Sequence, residues 1–370
     1  MKQDADMKLP QQTSRPRSRK LPTFSIAFET DNLSLVEGEN VLRSLASLNL
    51  NLSLSNLHAS EIFFIHNGTV DSSLLKQVLT EFPNTTFLRV DKDHGYYEGR
   101  MGAAENSTGE IFIFCDSDCQ YQPGWLVNML EPFAADENAV VVRGETSMPV
   151  RNSYELALAL EYFFPRFSGQ GRLYSTDFYY GNNVAFRRQF LLRYRIPSNQ
   201  PLYRSHCRLH SFMCVQQGFK ILAQPRAQAV HEPLPWLFFI RRHMLWGHDS
   251  YRIRHLMNSY IVGQPKAVTA RKSGIGTRIL GRSLTFARAL VESIQRAVSV
   301  FKENPGRLVW LPLALPVVLT GRITFCLGYV LAALYPQFLL ADCPYNKDGN
   351  CETASSKEPA QTCSTSTRRG

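Results

Sequence analysis

Neither of the glycine-rich loops that usually cradle phosphates is present: no G-x-G-x-x-G follows the first strand-like run, and no G-x-x-x-x-G-K-[ST] occurs anywhere. Dinucleotide and Walker-type phosphate binding lose their signatures, and a phosphate must be held another way. The eight cysteines (115, 119, 207, 214, 326, 343, 351 and 363) show no paired metal spacing, and the lone C-x3-C of Cys115 and Cys119 is too little for a zinc site or a disulfide. Reduced, cytosol-facing thiols are the expectation. The first twenty residues lack the apolar run of a secretory signal and instead crowd Lys8, Arg15, Arg17, Arg19 and Lys20 together, so residues 1–21 are expected to be a disordered basic tail.

Apolar residues are plentiful. At 44% hydrophobic over 370 residues the chain buries a full core, and its net charge of +10 suits an anionic partner: a nucleotide, a nucleic acid or an acidic membrane surface. Charge alone does not choose among them, and nothing beyond charge speaks for a specific nucleic acid. From Leu308 to Ala341 the only charge is Arg322. Ile323 to Ala341 is just long enough to cross a bilayer, while Leu308 to Gly321 is short, so a hairpin, one span with an interfacial segment, or a re-entrant loop all remain open over 308–341. The basic residues of 266–307 place the preceding domain in the cytoplasm by the positive-inside rule. Residues 342–370 read as a solvated, disordered tail.

Between these ends short β-rich runs alternate with amphipathic stretches. "FSIAFET" (24–30), "EIFFIHN" (61–67), "TTFLRVD" (85–91), "EIFIFCD" (110–116) and "AVVVRGE" (139–145) read as strands, with helical spacing such as Val41, Leu45, Leu48 between them. The alternation implies an α/β sandwich of parallel strands with right-handed crossovers. In open α/β sheets ligands bind beyond the carboxyl ends of the strands, and Asp116 and Asp118 stand at such an end. In extended geometry residues two apart share a side, so the two carboxylates are expected to converge on one Mg²⁺ or Mn²⁺ while Ser117 turns away. Asp-Ser-Asp also suits a turn or a helix N-cap.

These motifs, in order, resemble a family 2 nucleotide-sugar glycosyltransferase over roughly residues 22–255: "FSIAFETDN", "FFIHNGTVD", "GAAENSTGEIFIFCDSDC", "YYGNNVAFRR" and "GFKILAQPRAQAVHEP". The resemblance implies a GT-A, Rossmann-like mixed sheet flanked by helices over 22–233, an interfacial, amphipathic helical region over 234–307, and the apolar membrane-associated segment after it. It also implies metal-dependent, inverting transfer of a sugar from a nucleotide-diphosphate sugar to an acceptor hydroxyl, and the carboxyl-terminal apolar segment points to a lipid-linked or other membrane-proximal acceptor. By the same resemblance Glu29, Thr30, Asn67 and Asp71 would line the base and ribose pocket. Asp116, Ser117 and Asp118 would meet the donor, with the two carboxylates and His231 as metal ligands. Asn182 and Asn183 would orient sugar or acceptor hydroxyls.

Two departures from the family pattern stand out. His66 fills the slot where the second strand usually ends in aspartate. The acceptor-side E-D, whose carboxylate would take the acceptor proton, is replaced by "RSHC" (204–207), as in a subgroup carrying R-x-x-C there. Inverting transfer needs a base near the attacking hydroxyl, and His206, Asp177 and Glu145 are the candidates. A non-catalytic GT-A-like protein that binds nucleotide, sugar or lipid at a membrane is the alternative function. In "LPWLFFIRRHMLWGHDSYRIRHL" (234–256) the aromatics and arginines suit an interfacial helix, a diphosphate-neutralising element or a core stripe.

Overall fold

In the computed structural model the described residues are 20–30, 38–68, 70–91, 95–162, 164–263 and 294–335. Nearly all of both expected tails, the basic run of 264–293 and the end of the apolar run (336–341) lie outside them, as do Cys343, Cys351 and Cys363. The other five cysteines are free thiols.

The first half alternates strands β1 (Phe24–Glu29), β2 (Ile62–His66), β3 (Thr85–Arg89) and β4 (Ile111–Asp116) with helices α1 (Gly38–Ser55), α2 (Ser72–Glu81) and α3 (Tyr96–Glu105). A short β5 (Cys119–Tyr121), α4 (Trp125–Ala135), β6 (Val141–Ser147), α5 (Ser153–Glu161), β7 (Tyr174–Thr176), β8 (Asn183–Arg187), α6 (Arg188–Arg193), α7 (His206–Gln216) and β9 (Ile221–His231) complete the sheet and its flanking helices. Among the described residues the strand order is β3-β2-β1-β4-β8-β6-β9-β5, with β7 added beside β9.

The mixed sheet implied by the resemblance is present: β1 to β4 are parallel, as the strand–helix alternation implies, and β8 runs antiparallel between β4 and β6. The apolar pattern of "NVAFR" is the same in either direction. What decides is that the chain reaches β8 through an irregular stretch after α5 and β7, without a helical crossover from β6. This reversal builds the site. It carries the start of β8, at Asn183, beside Cys115 of β4, and β9, parallel to β6, ends with His231 paired to Cys119 of β5. The carboxyl ends of β1, β4 and β9 and the amino end of β8 therefore share one edge.

Strands β1, β2 and β4 are buried along their whole length, so both faces need cover. Phe24, Ile26 and Phe28 pack with the stripes of α1, α2 and α4, including Val41, Leu45 and Trp125, while Ala27, Phe63 and Phe114 pack with Tyr97 and Met101 of α3 and with α6 and α7. Each buried aromatic or branched side chain contributes roughly 1.5–3 kcal/mol relative to exposure.

The C-terminal third is helical: α8 (Trp236–Gly263), α9 (294–303), a 3₁₀ turn (Pro305–Trp310) and α10 (Leu311–Leu334). Of the topologies left open for the apolar run, the structure has one continuous helix, long and apolar enough to cross a membrane. It passes straight through Arg322, which the Glu161 carboxylate meets at 2.8 Å. Helices α8 and α10 pack backbone to backbone where neither side supplies a Cβ: a methyl on Gly247 would stand 2.0 Å from the Phe325 carbonyl oxygen, and one on Gly328 1.9 Å from that of Met244. The opposite face of α10, with Leu313, Leu319, Ile323 and Leu327, is exposed.

Candidate active site

Strand β4 ends at Asp116, and Ser117 and Asp118 form a turn into β5. Ser44 of α1 holds that turn from behind, its hydroxyl donating to the carbonyls of Asp116 (3.1 Å) and Cys119 (2.5 Å). The extended geometry expected across Asp116 to Asp118 is therefore corrected to a turn. Both line one cleft, but the turn gives each its own partners.

Asp116 is held by α3. The Tyr96 hydroxyl donates to its two oxygens at 2.7 and 2.9 Å, and the Arg100 guanidinium donates to Oδ1. Arg100 also lies 3.9 Å from Glu29, which sits opposite Asp116 in the β1–β4 register, and donates to the Gly181 carbonyl. A guanidinium with no solvent exposure needs such partners, since an unpaired buried charge is costly. Its cation also rests 4.0 Å from the Tyr96 ring centroid. Tyr96 and Arg100 were missed by the sequence reading. Their signal was there: Tyr97, Arg100, Met101 and Ala104 fall at helical spacing, which puts an arginine in an apolar stripe.

Asp118 faces His231, whose Nε2 is 3.2 Å from Oδ2. The other ring nitrogen, Nδ1, is 2.6 Å from the Glu232 carbonyl oxygen, an acceptor, so Nδ1 carries the proton. Nε2 then either carries a second proton and pairs with the carboxylate, or points a lone pair at the same space as the carboxylate oxygens. Burial works to lower the His231 pKa, but the Asp118 charge and hydrogen bond outweigh it and the net direction is up. This is the donor set a divalent cation takes, with the tautomer fixed from outside. Asp118, Cys119 and His231 cluster closely enough to share one ion. Cys119 is the poor member: burial pushes its thiol far above the usual range, which keeps it protonated and unsuited to a hard cation.

Other expected residues fall in three places. Asn182 lines the cleft, its amide donating to Cys119 Sγ at 3.4 Å and accepting from the Thr146 hydroxyl at 3.3 Å. Glu29 ends β1 and Thr30 follows it, Asn67 follows β2 and Asp71 precedes α2, and none of the four lines the cleft. The Thr30 hydroxyl is spent on the Ile65 carbonyl (2.6 Å), and exposed Asp71 precedes α2 and accepts from Ser73, which lowers its pKa. His66 packs on Phe64 and Phe87, accepts from the Gly68 amide, and is kept neutral by burial and by Arg89.

The rest face elsewhere. Ser117 is fully buried with its hydroxyl unpartnered among the described residues. Asn183 is turned into the core: it accepts from Trp125 Nε1 (2.8 Å) and donates to the carbonyls of Glu145 (3.0 Å) and Ala227 (3.1 Å). None of the three proposed bases lines the cleft. His206 stacks behind Tyr97 and is buried, which lowers its pKa; Glu145 accepts from Ser168; Asp177 is exposed just past β7.

The cleft also presents Arg204, from the loop before α7, and Arg242, from α8, with aromatic and apolar walls at Phe164, Leu234 and Phe238. Helix α8 thus serves both as core, through buried Phe239, Leu245 and Ile253, and as a cationic wall.

Residues 35–195 match the family model described as Glycosyl transferase family 2. The polypeptide N-acetylgalactosaminyltransferase 5 of Rattus norvegicus is 33% identical over 94 residues, covering 25% of this chain and 10% of that one. The polypeptide N-acetylgalactosaminyltransferase 10 of Homo sapiens is 31% identical over 141 residues, covering 37% and 22%. The chain thus spans between 10% and 22% of the length of these curated relatives. Among solved structures, the mannosyltransferase PcManGT from Pyrobaculum calidifontis, in complex with GDP-Man and Mn²⁺, superposes with a TM-score of 0.52 at 15% identity, over 86% of this chain and 88% of that one. The fold is GT-A, and the similarity to family 2 glycosyltransferases covers residues 35–195.

Proposed function

We propose that this chain, with its match to family 2 glycosyltransferases, transfers a sugar, with inversion, from a nucleotide-diphosphate sugar to an acceptor at a membrane surface, and that the catalytic unit is residues 22–233, with α8 completing the cleft. The observation that carries the reading is the Asp118–His231 pair, in which the Glu232 carbonyl fixes one ring nitrogen so that the other shares a focus with a carboxylate. Mn²⁺ or Mg²⁺ would be held there by Asp118 and His231, with Asp116 beside them, and would neutralise charge on the departing diphosphate. Arg242, which lines the same cleft, would add positive charge for the leaving diphosphate. Glu29, Thr30, Asn67 and Asp71 border the place for the nucleoside, and Asn182 the place for the sugar. The complex of PcManGT with GDP-Man and Mn²⁺ supports the donor class and the metal. The apolar face of α10 supports membrane association, and the basic run of 266–307 supports a cytoplasmic orientation. A membrane-embedded acceptor, lipid-linked, fits the apolar walls at Leu234 and Phe238.

The second reading, nucleotide or lipid binding without transfer, is favoured by one observation: His206, Asp177 and Glu145 all lie off the cleft wall. Thermal shift with Mn²⁺ across a panel of nucleotide sugars tests the first reading. Stabilisation by at least one donor, dependent on Mn²⁺ and lost in Asp118→Asn, is expected; indifference of the wild type to every donor rejects it. Release of nucleoside diphosphate only when membrane lipids are added then separates transfer from mere binding.

A further inference from the structure

Deep in α8, Asp249 is 1% exposed. Its Oδ1 accepts from the Tyr203 amide and its Oδ2 from the amides of Arg204 and Ser205, all at 3.0 Å, and His248 Nδ1 lies 3.2 Å from Oδ1. These amides precede α7, whose own N-cap residue, Ser205, makes no side-chain cap. The amides of the three residues leading into α7 are thus satisfied by a carboxylate from another helix. A charge in such surroundings is tolerated because three amides and an imidazole surround it.

The loop held in this way carries Arg204 to the cleft. Its guanidinium stands 4.0 Å from the Tyr96 centroid, on a ring that Arg100 also approaches at 4.0 Å and whose hydroxyl binds Asp116. Arg242 lies seven residues before Asp249, two turns along the same helix, so α8 sets the position of both cleft arginines: Arg242 by its own side chain, Arg204 through the Asp249 clamp. We propose that Arg204 is a contact for the donor diphosphate and that Asp249 is its positioning residue. A guanidinium forks onto two phosphate oxygens only if its backbone anchor is fixed, and the three amide bonds fix it. The R-x-x-C segment that replaces the acceptor-side carboxylates then supplies a cation to the leaving group in place of a base to the nucleophile.

The inference rests on reading the cleft as a diphosphate site, so the experiment separates the two. Calorimetry on the full chain measures Mn²⁺ alone and then inorganic pyrophosphate in the presence of Mn²⁺, for wild type, Arg204→Gln, Asp249→Asn and the double variant. Each single change is expected to weaken pyrophosphate about tenfold or more, the double change no further than either, and Mn²⁺ alone to bind all four equally. A merely structural Asp249 would instead add its loss to that of Arg204→Gln, or weaken Mn²⁺ as well, and either outcome overturns the proposal. So does pyrophosphate binding that ignores Arg204→Gln. Should Asp249→Asn fold poorly, Asp249→Glu keeps the charge while displacing it and runs the same cycle. A wild type that takes Mn²⁺ but no pyrophosphate removes the diphosphate reading itself, and this proposal with it.

Discussion

Asn183→Ala separates two roles for one side chain. The sequence pattern offers Asn183 as a sugar contact, whereas in the fold its amide repairs a break in the sheet. Strands β6 and β9 slip register between Arg143 and Glu145, leaving the carbonyls of Glu145 and Ala227 out of the ladder, and the Asn183 amide takes both while its oxygen receives the fully buried Trp125 N–H. Truncation leaves one donor and two acceptors without a partner, at about 1–3 kcal/mol each. Some is recovered if a water fills the space, so a net loss of roughly 3–5 kcal/mol is expected, a large part of a typical domain's total stability. Asn183→Asp should cost at least as much, because it sets a carboxylate against two carbonyl oxygens. Urea unfolding followed by tryptophan fluorescence measures the loss. An Asn183→Ala protein that unfolds at the wild-type midpoint, yet no longer responds to donor, would refute this assignment and return the residue to the ligand.

Three further outcomes are expected. Burial holds the Glu161 carboxyl up at about 7, from its ordinary 4.5, against the opposing pull of Arg322 and Arg296. The folded chain therefore keeps a proton that the unfolded chain releases, so this contribution to stability is full below pH 4.5 and is lost as pH rises toward 7, by an amount on the order of 3 kcal/mol. Glu161→Gln should flatten the profile of denaturation midpoints between pH 5 and 8. Gly328→Val forces α10 off the Met244 carbonyl and should lower stability by about 1–3 kcal/mol or more, with faster amide exchange across residues 236–263. Tyr96→Phe keeps the ring between Arg100 and Arg204 but removes the hydroxyl from Asp116, and a loss of about 1.5–3 kcal/mol in urea unfolding is expected; no change would mean that Arg100 alone satisfies the carboxylate.

Much of the frame was legible in the sequence, and the reasons are physical. The strands of "FSIAFET" and "EIFIFCD" could be read within about a residue because uninterrupted apolar runs bounded by turns have few other uses. The direction of β8 could not, since side-chain alternation is blind to strand polarity. The long β9 was legible only through the resemblance of "GFKILAQPRAQAVHEP", because Pro225 in its middle, tolerated where the register with β6 breaks, spoils the local strand pattern. Helix α10 was visible as apolar composition, but Arg322 made one helix look like two segments; the neutralising Glu161 is more than 150 residues away, and no local pattern reports it. The same holds for Asp249 and Arg204, whose relation exists only after α8 is laid against α7.

The site divides along the same line. Asp116 and Asp118 were singled out by their spacing at a strand end and His231 by the family resemblance, and the fold brings all three to one cleft because β4 and β9 end at the same edge. The motif could not say how their roles differ. Two carboxylates one residue apart in an extended chain would repel and share a pKa problem; the turn at Ser117 and Asp118 resolves this by sending each to a different counter-charge. Asp116 goes to a guanidinium that never titrates and that also answers to Glu29, so its charge is committed to fastening α3 against the sheet. Asp118 goes to an imidazole, His231 of β9. The first aspartate of the motif is therefore fastened to α3 and the second to β9, and the asymmetry comes from those two elements, not from the motif.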